Sequence, residues 1–309
     1  MSAPSVGVVI PTHARPALLR RALAGVLAQD YPGPLRVVVV YDRSTPDPTL
    51  PASVGAPPHR PVTVLPNRRT PGLAGARNTG VLALDTELVA FCDDDDLWTP
   101  GKLRAQVDAL AATPEAELAT CAIEVEYGNR CHVRRAGRDR IGLAELARSR
   151  MMMLHSSTIL VRRAALALPD RIGLVSEDAP GSQNEDWDLL LRAARRAPIT
   201  HVDEPLVRVL WTRSSHFAHE YATKIESLRW MLDRHPEIRA SRRGAARVYG
   251  QLACWTAASG DRRGAWRWVR QAVWRNWREP RAAIAFGAII GVLRVESVLA
   301  ALHRRGRGI

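Results

Sequence analysis

Short β-branched runs alternate with longer stretches of helical apolar spacing through the first hundred residues. SVGVVIP (5–11) carries no charge and ends on proline, which predicts a buried parallel strand. RPALLRRALAGVLAQ (15–29) has apolar residues at helical spacing and is broken by YPGP (31–34). LRVVVVYD (35–42) repeats the strand pattern, a Pro-rich loop runs through Pro61, and VTVL (62–65) is a short third strand. TPGLAG then opens the helix ARNTGVLALD (76–85), and TELVAFC (86–92) is a fourth strand. The alternation predicts a doubly wound, mostly parallel sheet flanked by helices, with its sites at the carboxyl ends of strands. His13, Asp42 and Asp93 to Asp96 each lie just past such an end.

The middle of the chain is mixed. ELATCAIEVEYG (117–128) and HSSTILVRR (155–163) read as strands, and ITHVDEPLVRVLWT (199–212) returns to strand pattern. Between them NEDWDLLLRAARR (184–196) is a helix, acidic at its start and basic at its end, as the macrodipole favours. From about Ala218 the pattern is helical, predicting an α/β domain over 1–217 and an all-helical annex over 218–309. AARVYGQLACWTAASGD and RRGAWRWVRQAVWRNWREP look like one tetratricopeptide-type hairpin, too few repeats for an array. The annex's six tryptophans (Trp230, Trp255, Trp266, Trp268, Trp274, Trp277) are expected in the core. AAIAFGAIIGVL (282–293) is only 12 residues long, against about 20 for a membrane span, and fits a buried or interfacial helix.

Charge sharpens that division. Residues 218–309 hold 18 Lys/Arg against 7 Asp/Glu, whereas residues 1–217 hold 26 against 24. A basic annex suits an anionic partner, lipid or nucleic acid. Arginines interleaved with apolar helical faces, and no nucleic-acid-binding motif, disfavour nucleic acid. The four cysteines form no CxxC pair, which argues against a disulfide framework or zinc site and fits a reducing cytoplasm. MSAPSVGVVIPTHARP lacks a basic region followed by a long apolar stretch, so no signal peptide is expected.

FCDDDDLWTP (91–100) sets four carboxylates side by side after a strand. Such a cluster suits a hard divalent cation, Mg²⁺ or Mn²⁺, taking carboxylate and substrate phosphate oxygens. A solvated turn, or a cap from Asp96 for the helix in PGKLRAQVDALAA, is the simpler alternative, although four acids exceed what a cap needs. Arg77, behind two glycines near a helix start, suits an anion. His13 by itself is more often packing than chemistry. The acids of NEDWD are either a general base or helix-terminal charges.

Taken in order, VVIPTHARPALLRRALAGVLAQDYP, VVVVYDRSTPD, GLAGARNTG, FCDDDDLWTPGKL and NEDWDLLLR resemble the family 2 glycosyltransferases of GT-A fold, over roughly residues 5–212. The resemblance implies an α/β fold with a mixed sheet flanked by helices and an inverting transfer from a nucleoside diphosphate sugar, a UDP-sugar first, assisted by Mg²⁺ or Mn²⁺. It places Pro11, Thr12, His13 and Arg15 at the nucleotide, Asp42 on a uracil-type base, Arg77 near the diphosphate, and Asp93 and Asp94 beside the ribose. Asp95 is then the direct metal ligand with Asp93, and Asp186 the catalytic base. It further implies a saccharide or lipid-linked acceptor, cell-envelope polysaccharide or glycolipid synthesis, and a cytoplasmic protein peripheral on the inner face of the membrane. Two departures stand out: the usual aromatic and Asn after Pro-Thr are His13 and Ala14, and DDGS reads YDRS. They leave thymidine and guanosine donors open. A nucleotidyltransferase would want a Gly-rich loop after the first strand, which PTHARPALL lacks. A non-catalytic adaptor would be expected to lose the acids, and Asp42, Asp93, Asp95 and Asp186 are all present.

Overall fold

The computed structural model describes residues 3–168, 170–211 and 220–303. Its ten strands, in chain order, are β1 (Val6–Thr12), β2 (Leu35–Tyr41), β3 (Val62–Pro66), β4 (Leu88–Phe91), β5 (Leu97–Trp98), β6 (Leu118–Tyr127), β7 (Arg130–Arg134), β8 (Arg140–Ile141), β9 (Leu160–Arg162) and β10 (Ile199–Leu210). They form one sheet of order β3-β2-β1-β4-β9-β6-β10-β5, with β7 on β6 and β8 on β10. β3, β2, β1 and β4 are parallel. β9 enters antiparallel between β4 and β6, and β10 pairs parallel with β6, so the sheet is mixed. The ladder between β6 and β10 shifts register around Pro205, where the chain has no N–H to donate.

Every residue of β1 is buried, as expected of a strand covered on both faces. Alternate side chains feed two cores. Val8, Ile10, Val37 and Val39 join Leu19 and Leu23 of α1 (Pro16–Leu27). Val9, Val38 and Val40 face the other way. The remaining helices of the first two-thirds are α2 (Leu50–Ser53), α3 (Leu73–Ala83), α4 (Lys102–Ala111), α5 (Leu143–Arg148), α6 (Arg163–Ala167) and α7 (Glu185–Arg196). Helix α3 begins three residues before the predicted start, because its turn closes on itself: a Cβ on Gly75 would lie 1.9 Å from the carbonyl oxygen of Thr70.

Six helices follow: α8 (Tyr221–Arg234), α9 (Pro236–Ala240), α10 (Arg242–Ala258), α11 (Arg262–Arg275), α12 (Pro280–Ile289) and α13 (Val295–His303). The expected hairpin is α10 and α11. The proposed boundary at 217/218 falls outside the described residues. The second core runs without a break from Val9 and Leu190 into Leu228, Ala253 and Ala285 of the C-terminal helices. Two expectations need correction. HSSTILVRR is a strand only over Leu160–Arg162, because Ser156–Thr158 form a 3₁₀ turn whose hydroxyls serve the site described below. The tryptophans also divide: Trp255 is buried, whereas Trp274 and Trp277 are 75% and 73% exposed and Trp266 is exposed beside Phe286. No helix among the described residues is long and apolar enough to cross a membrane.

Candidate active site

Three parallel strands deliver their carboxyl ends to one edge. At the end of β1, Thr12 Oγ1 donates to Asp94 Oδ2 at 2.7 Å, with Pro11 buried before it. The next residue, His13, donates from Nδ1 to the Asp42 carbonyl at 2.7 Å, tying the ends of β1 and β2 together. Asp42 is buried, with Oδ1 accepting from Asn67 Nδ2 at 2.8 Å and the Gly72 N–H at 3.1 Å. Its Oδ2 accepts from Arg43 Nε at 2.9 Å. Burial alone would raise the Asp42 carboxyl, but these donors hold it below its ordinary value. Ala14, Arg43 and Asn184, all non-glycine, adopt the left-handed region at φ +52°, +47° and +63° in the turns around this edge. Such strain costs about 1–3 kcal/mol each and collects at functional turns.

The acidic run after β4 is divided among different partners. Asp93 takes Ser156 Oγ on Oδ2 at 2.8 Å and Arg77 on Oδ1 at 2.7 Å, and its N–H donates to Ser157 Oγ. Burial opposes its ionisation, but Arg77, His155 and the Ser156 hydroxyl bring its pKa down to about 2. Asp94 is held by Thr12 and lies 3.3 Å from Arg15. Asp95, the most open of the four at 30% exposure, pairs with Arg15 at 2.7 Å. Burial, and after it the charges of Asp96 and Asp93, push its pKa up to about 7. Asp96 is buried, and its Oδ2 lies 3.2 Å from His155 Nδ1, close enough to pair in charge but outside hydrogen-bond geometry. It does not cap α4, whose N-cap is Gly101 with no side-chain hydrogen bond. Burial works against the His155 cation, but Asp96 and then Asp93 lift its pKa to about 9.

Arg77 is held by two acids of this chain. Its guanidinium is 2% exposed and spans Asp93 at 2.7 Å and Glu185 at 2.5 Å. The short α3 turn sends it inward, so the fork meets two carboxylates of this chain and not solvent. Glu185 and Asp186 open α7. Burial pushes Glu185 up to about 6 against the pull of Arg77. Asp186, also buried, takes both oxygens to Arg150 at 3.0 and 2.7 Å. Burial would raise its carboxyl, but Arg150 holds it below the ordinary range and therefore ionised. Neither acid is merely a helix-terminal charge.

Asp93, Asp96 and His155 each place one ligand atom within 4.8 Å of the others. Two carboxylates, one imidazole and an unsatisfied buried oxygen fit a divalent cation. Asp95, the expected direct ligand, lies outside this trio because Arg15 draws it toward the mouth of the site.

Comparison with known proteins agrees with this architecture. A family model described as glycosyl transferase family 2 matches residues 7–167, just over half of the chain. The chain belongs to glycosyl transferase family 2. Succinoglycan biosynthesis protein ExoW of Rhizobium meliloti (strain 1021) is 41% identical over 100 residues, 31% of either chain. The putative colanic acid biosynthesis glycosyl transferase WcaA of Escherichia coli (strain K12) is 33% identical over 100 residues, 32% of this chain and 36% of that one. The match thus spans about a third of the length of these relatives. Two crystal structures share the fold. S. aureus TarS 1–349 in complex with UDP-GlcNAc gives a TM-score of 0.63 at 17% identity, covering 99% of this chain and 93% of that one. Mannosyltransferase PcManGT from Pyrobaculum calidifontis, in complex with GDP-Man and Mn²⁺, gives 0.55 at 19%, covering 98% and 85%.

In this family 2 chain the structure adds Ser156, Ser157, His155, Arg150, Asp96 and Glu185 to the residues around the site. Only the last two carried a signal in the sequence, as members of acidic runs. The HSS triplet has strand-like neighbours, and Arg150 lies between Ser149 and a run of three methionines with no motif to mark it.

Proposed function

We propose that this protein is an inverting glycosyltransferase, moving a sugar from a nucleoside diphosphate sugar, UDP-sugars first, to an acceptor hydroxyl in cell-envelope polysaccharide or glycolipid synthesis. The observation that carries the reading is the bridge Asp93–Arg77–Glu185, which fixes the acidic run of β4 and the base-bearing start of α7 as one unit. In this reading Pro11, Thr12, His13 and Asp42 form the base end of the donor site, with Arg15 at its mouth and Asp94 held beneath it by Thr12. A divalent cation, Mg²⁺ or Mn²⁺, would be held by Asp93 and the acids beside it, with Asp96 and His155 fitting and Asp95 open to join. Bound there, it would neutralise charge on the departing diphosphate. An imidazole beside carboxylates suits Mn²⁺ better than Mg²⁺. Arg77 acts from beneath, positioning Asp93 and Glu185. Asp186, kept ionised and oriented by Arg150, takes the proton of the acceptor hydroxyl on the face opposite the leaving group. Holding both partners in line supplies the positioning gain.

The neighbours crystallised with UDP-GlcNAc and with GDP-Man plus Mn²⁺ support a metal-assisted nucleotide-sugar site. Residues 1–217 would carry donor and transfer chemistry, and residues 218–309 the acceptor side. The basic annex, with exposed Trp274 and Trp277 stacked by Arg275 and Arg278, suits peripheral contact with an anionic membrane on its cytoplasmic face. The test is titration with UDP-, dTDP- and GDP-sugars in Mn²⁺ and in chelator, beside Asp95→Asn. Metal-dependent binding of one nucleotide, weakened in the variant, is the expected result. No binding of any donor by folded protein would leave a vestigial domain as the better reading.

A further inference from the structure

We infer that the pocket between α5, α10 and the turn after α11 binds a phosphate group carried by the acceptor. The inference rests on the transferase reading for the word acceptor, and on the residues below for the phosphate. The pocket has a volume of about 420 Å³ and opens next to Ser149 and Met151. Those residues flank Arg150, which holds Asp186, so the pocket and the proposed base share one short loop.

Its charge is unbalanced. Glu145 is occupied by Arg138 at 2.8 Å and by the Gly142 N–H, and Glu279 by Arg281 at 2.6 Å. Arg148, Arg243 and Arg247 also line the pocket, and none pairs with a carboxylate among the described residues. Arg247 is half-buried, and Arg148 and Arg243 stand at the rim. Burial, and after it the charge of Arg281, bring the Arg247 guanidinium down to about 10 against the weaker pull of Glu279. The first turn of α10 begins with Arg242 and Arg243 and holds no acid, which is the wrong sign for a helix N-terminus. Cations that repel one another and oppose a helix dipole are stabilised when an anion with several oxygens arrives. The wall is tightly fixed, since a Cβ on Gly244 would sit 2.0 Å from the Ala147 carbonyl oxygen of α5. Exposed Trp277 follows directly on Asn276, another lining residue. A phosphate headgroup at a membrane surface and a phosphate on a soluble acceptor therefore both have access.

The experiment titrates the full chain with sodium pyrophosphate in chelator, by calorimetry. Wild type, the double variant Arg243→Gln/Arg247→Gln, and Arg148→Gln are compared, with melting temperature confirming the fold of each. Charged hydrogen bonds of about 1.5–3 kcal/mol predict a loss of at least about tenfold in affinity for the double variant, and a smaller loss for Arg148→Gln. Equal affinity in all three, or no saturable binding to wild type in this or the vesicle arm, overturns the inference. A second arm offers neutral phosphatidylcholine vesicles with and without one-fifth phosphatidic acid. Binding that needs phosphatidic acid and falls in the double variant supports the site and assigns the phosphate to a lipid headgroup. Saturable pyrophosphate binding without a vesicle effect assigns it to a soluble acceptor. Parallel titration with UDP and Mn²⁺ separates this inference from the transferase reading. Absence of UDP binding with pyrophosphate binding intact sinks the donor site alone, and the reverse pattern sinks the pocket alone.

Discussion

Asp188→Asn is expected to be the most destabilising isosteric change in the chain. Asp188 is fully buried on α7 and receives four side-chain donors. Its Oδ1 accepts from Arg234 Nε at 2.7 Å and His235 Nε2 at 2.9 Å, both from the end of α8 or just past it. Its Oδ2 accepts from Ser176 Oγ at 2.7 Å and Arg192 Nε at 2.9 Å. An amide keeps one acceptor oxygen and turns the other into a donor, so two bonds are lost if it faces Arg234 and His235, and the Arg192 bond is lost if it faces Ser176, whose hydroxyl can accept instead. Arg192 retains carbonyl partners at Ile172, Gly173 and Leu174, and Arg234 retains a 3.6 Å pair with Asp178, which limits the damage. Losing one partner of a buried ionic cluster costs about 3–5 kcal/mol, on the order of 10 °C in Tm. Burial would raise the Asp188 carboxyl, but His235, Arg192, Ser176 and Arg234 hold it well below its ordinary value. A depressed carboxyl contributes its stability above the unfolded value of about 3.9 and loses it as pH falls toward the folded value. The gap between wild type and variant should therefore be constant from pH 5 to 8 and narrow only below about pH 4. Calorimetric melting across that range checks it. A gap smaller than about 1 kcal/mol, or one that closes between pH 5 and 8, would refute the reasoning.

Three further outcomes follow from the site. Asp96→Asn should weaken Mn²⁺-dependent nucleotide binding at least about tenfold, read by calorimetry with UDP and Mn²⁺, while binding that survives unchanged would remove Asp96 from the ligand set. Asp186→Asn should lower kcat by about 10²–10⁴-fold with nucleotide affinity kept, as measured by single-turnover transfer. Replacing both Trp274 and Trp277 by serine should abolish flotation with vesicles containing anionic lipid while leaving Tm within about 2 °C, since both rings are already outside the core.

The parts legible in the sequence were those that local pattern decides. The runs ending at Thr12, Tyr41 and Phe91 had the uninterrupted apolar character of covered parallel strands, and the acids had to follow them. What stayed hidden depends on which distant segment arrives. The tail of HSSTILVRR does form β9, yet Ser156 and Ser157 before it turn away to bond Asp93, 63 and 64 positions earlier. Asp188 looked like one more acid at a positive helix end until His235, 47 positions later, donated to it. The tryptophan spacing showed amphipathic helices without showing which face of α11 another helix would cover.

Arg77 is the clearest case, because the motif pointed to an anion without showing that this chain supplies two of them. An arginine behind two glycines at a helix start does face negative charge. The charge it meets is Asp93 on one side and Glu185 on the other, both from this chain. That placement also explains how four adjacent carboxylates can coexist. Arg77 with Ser156 holds Asp93, Thr12 with Arg15 holds Asp94, Arg15 holds Asp95 and His155 faces Asp96. Three built-in cations, one of them shared with Glu185, thus face the four acids and leave the cluster short of positive charge. A fold that compensated the run completely would leave a divalent cation nothing to gain by binding. One that left it uncompensated would neutralise the acids by protonation. The partial balance keeps Asp93 ionised and leaves negative charge that a divalent cation would meet.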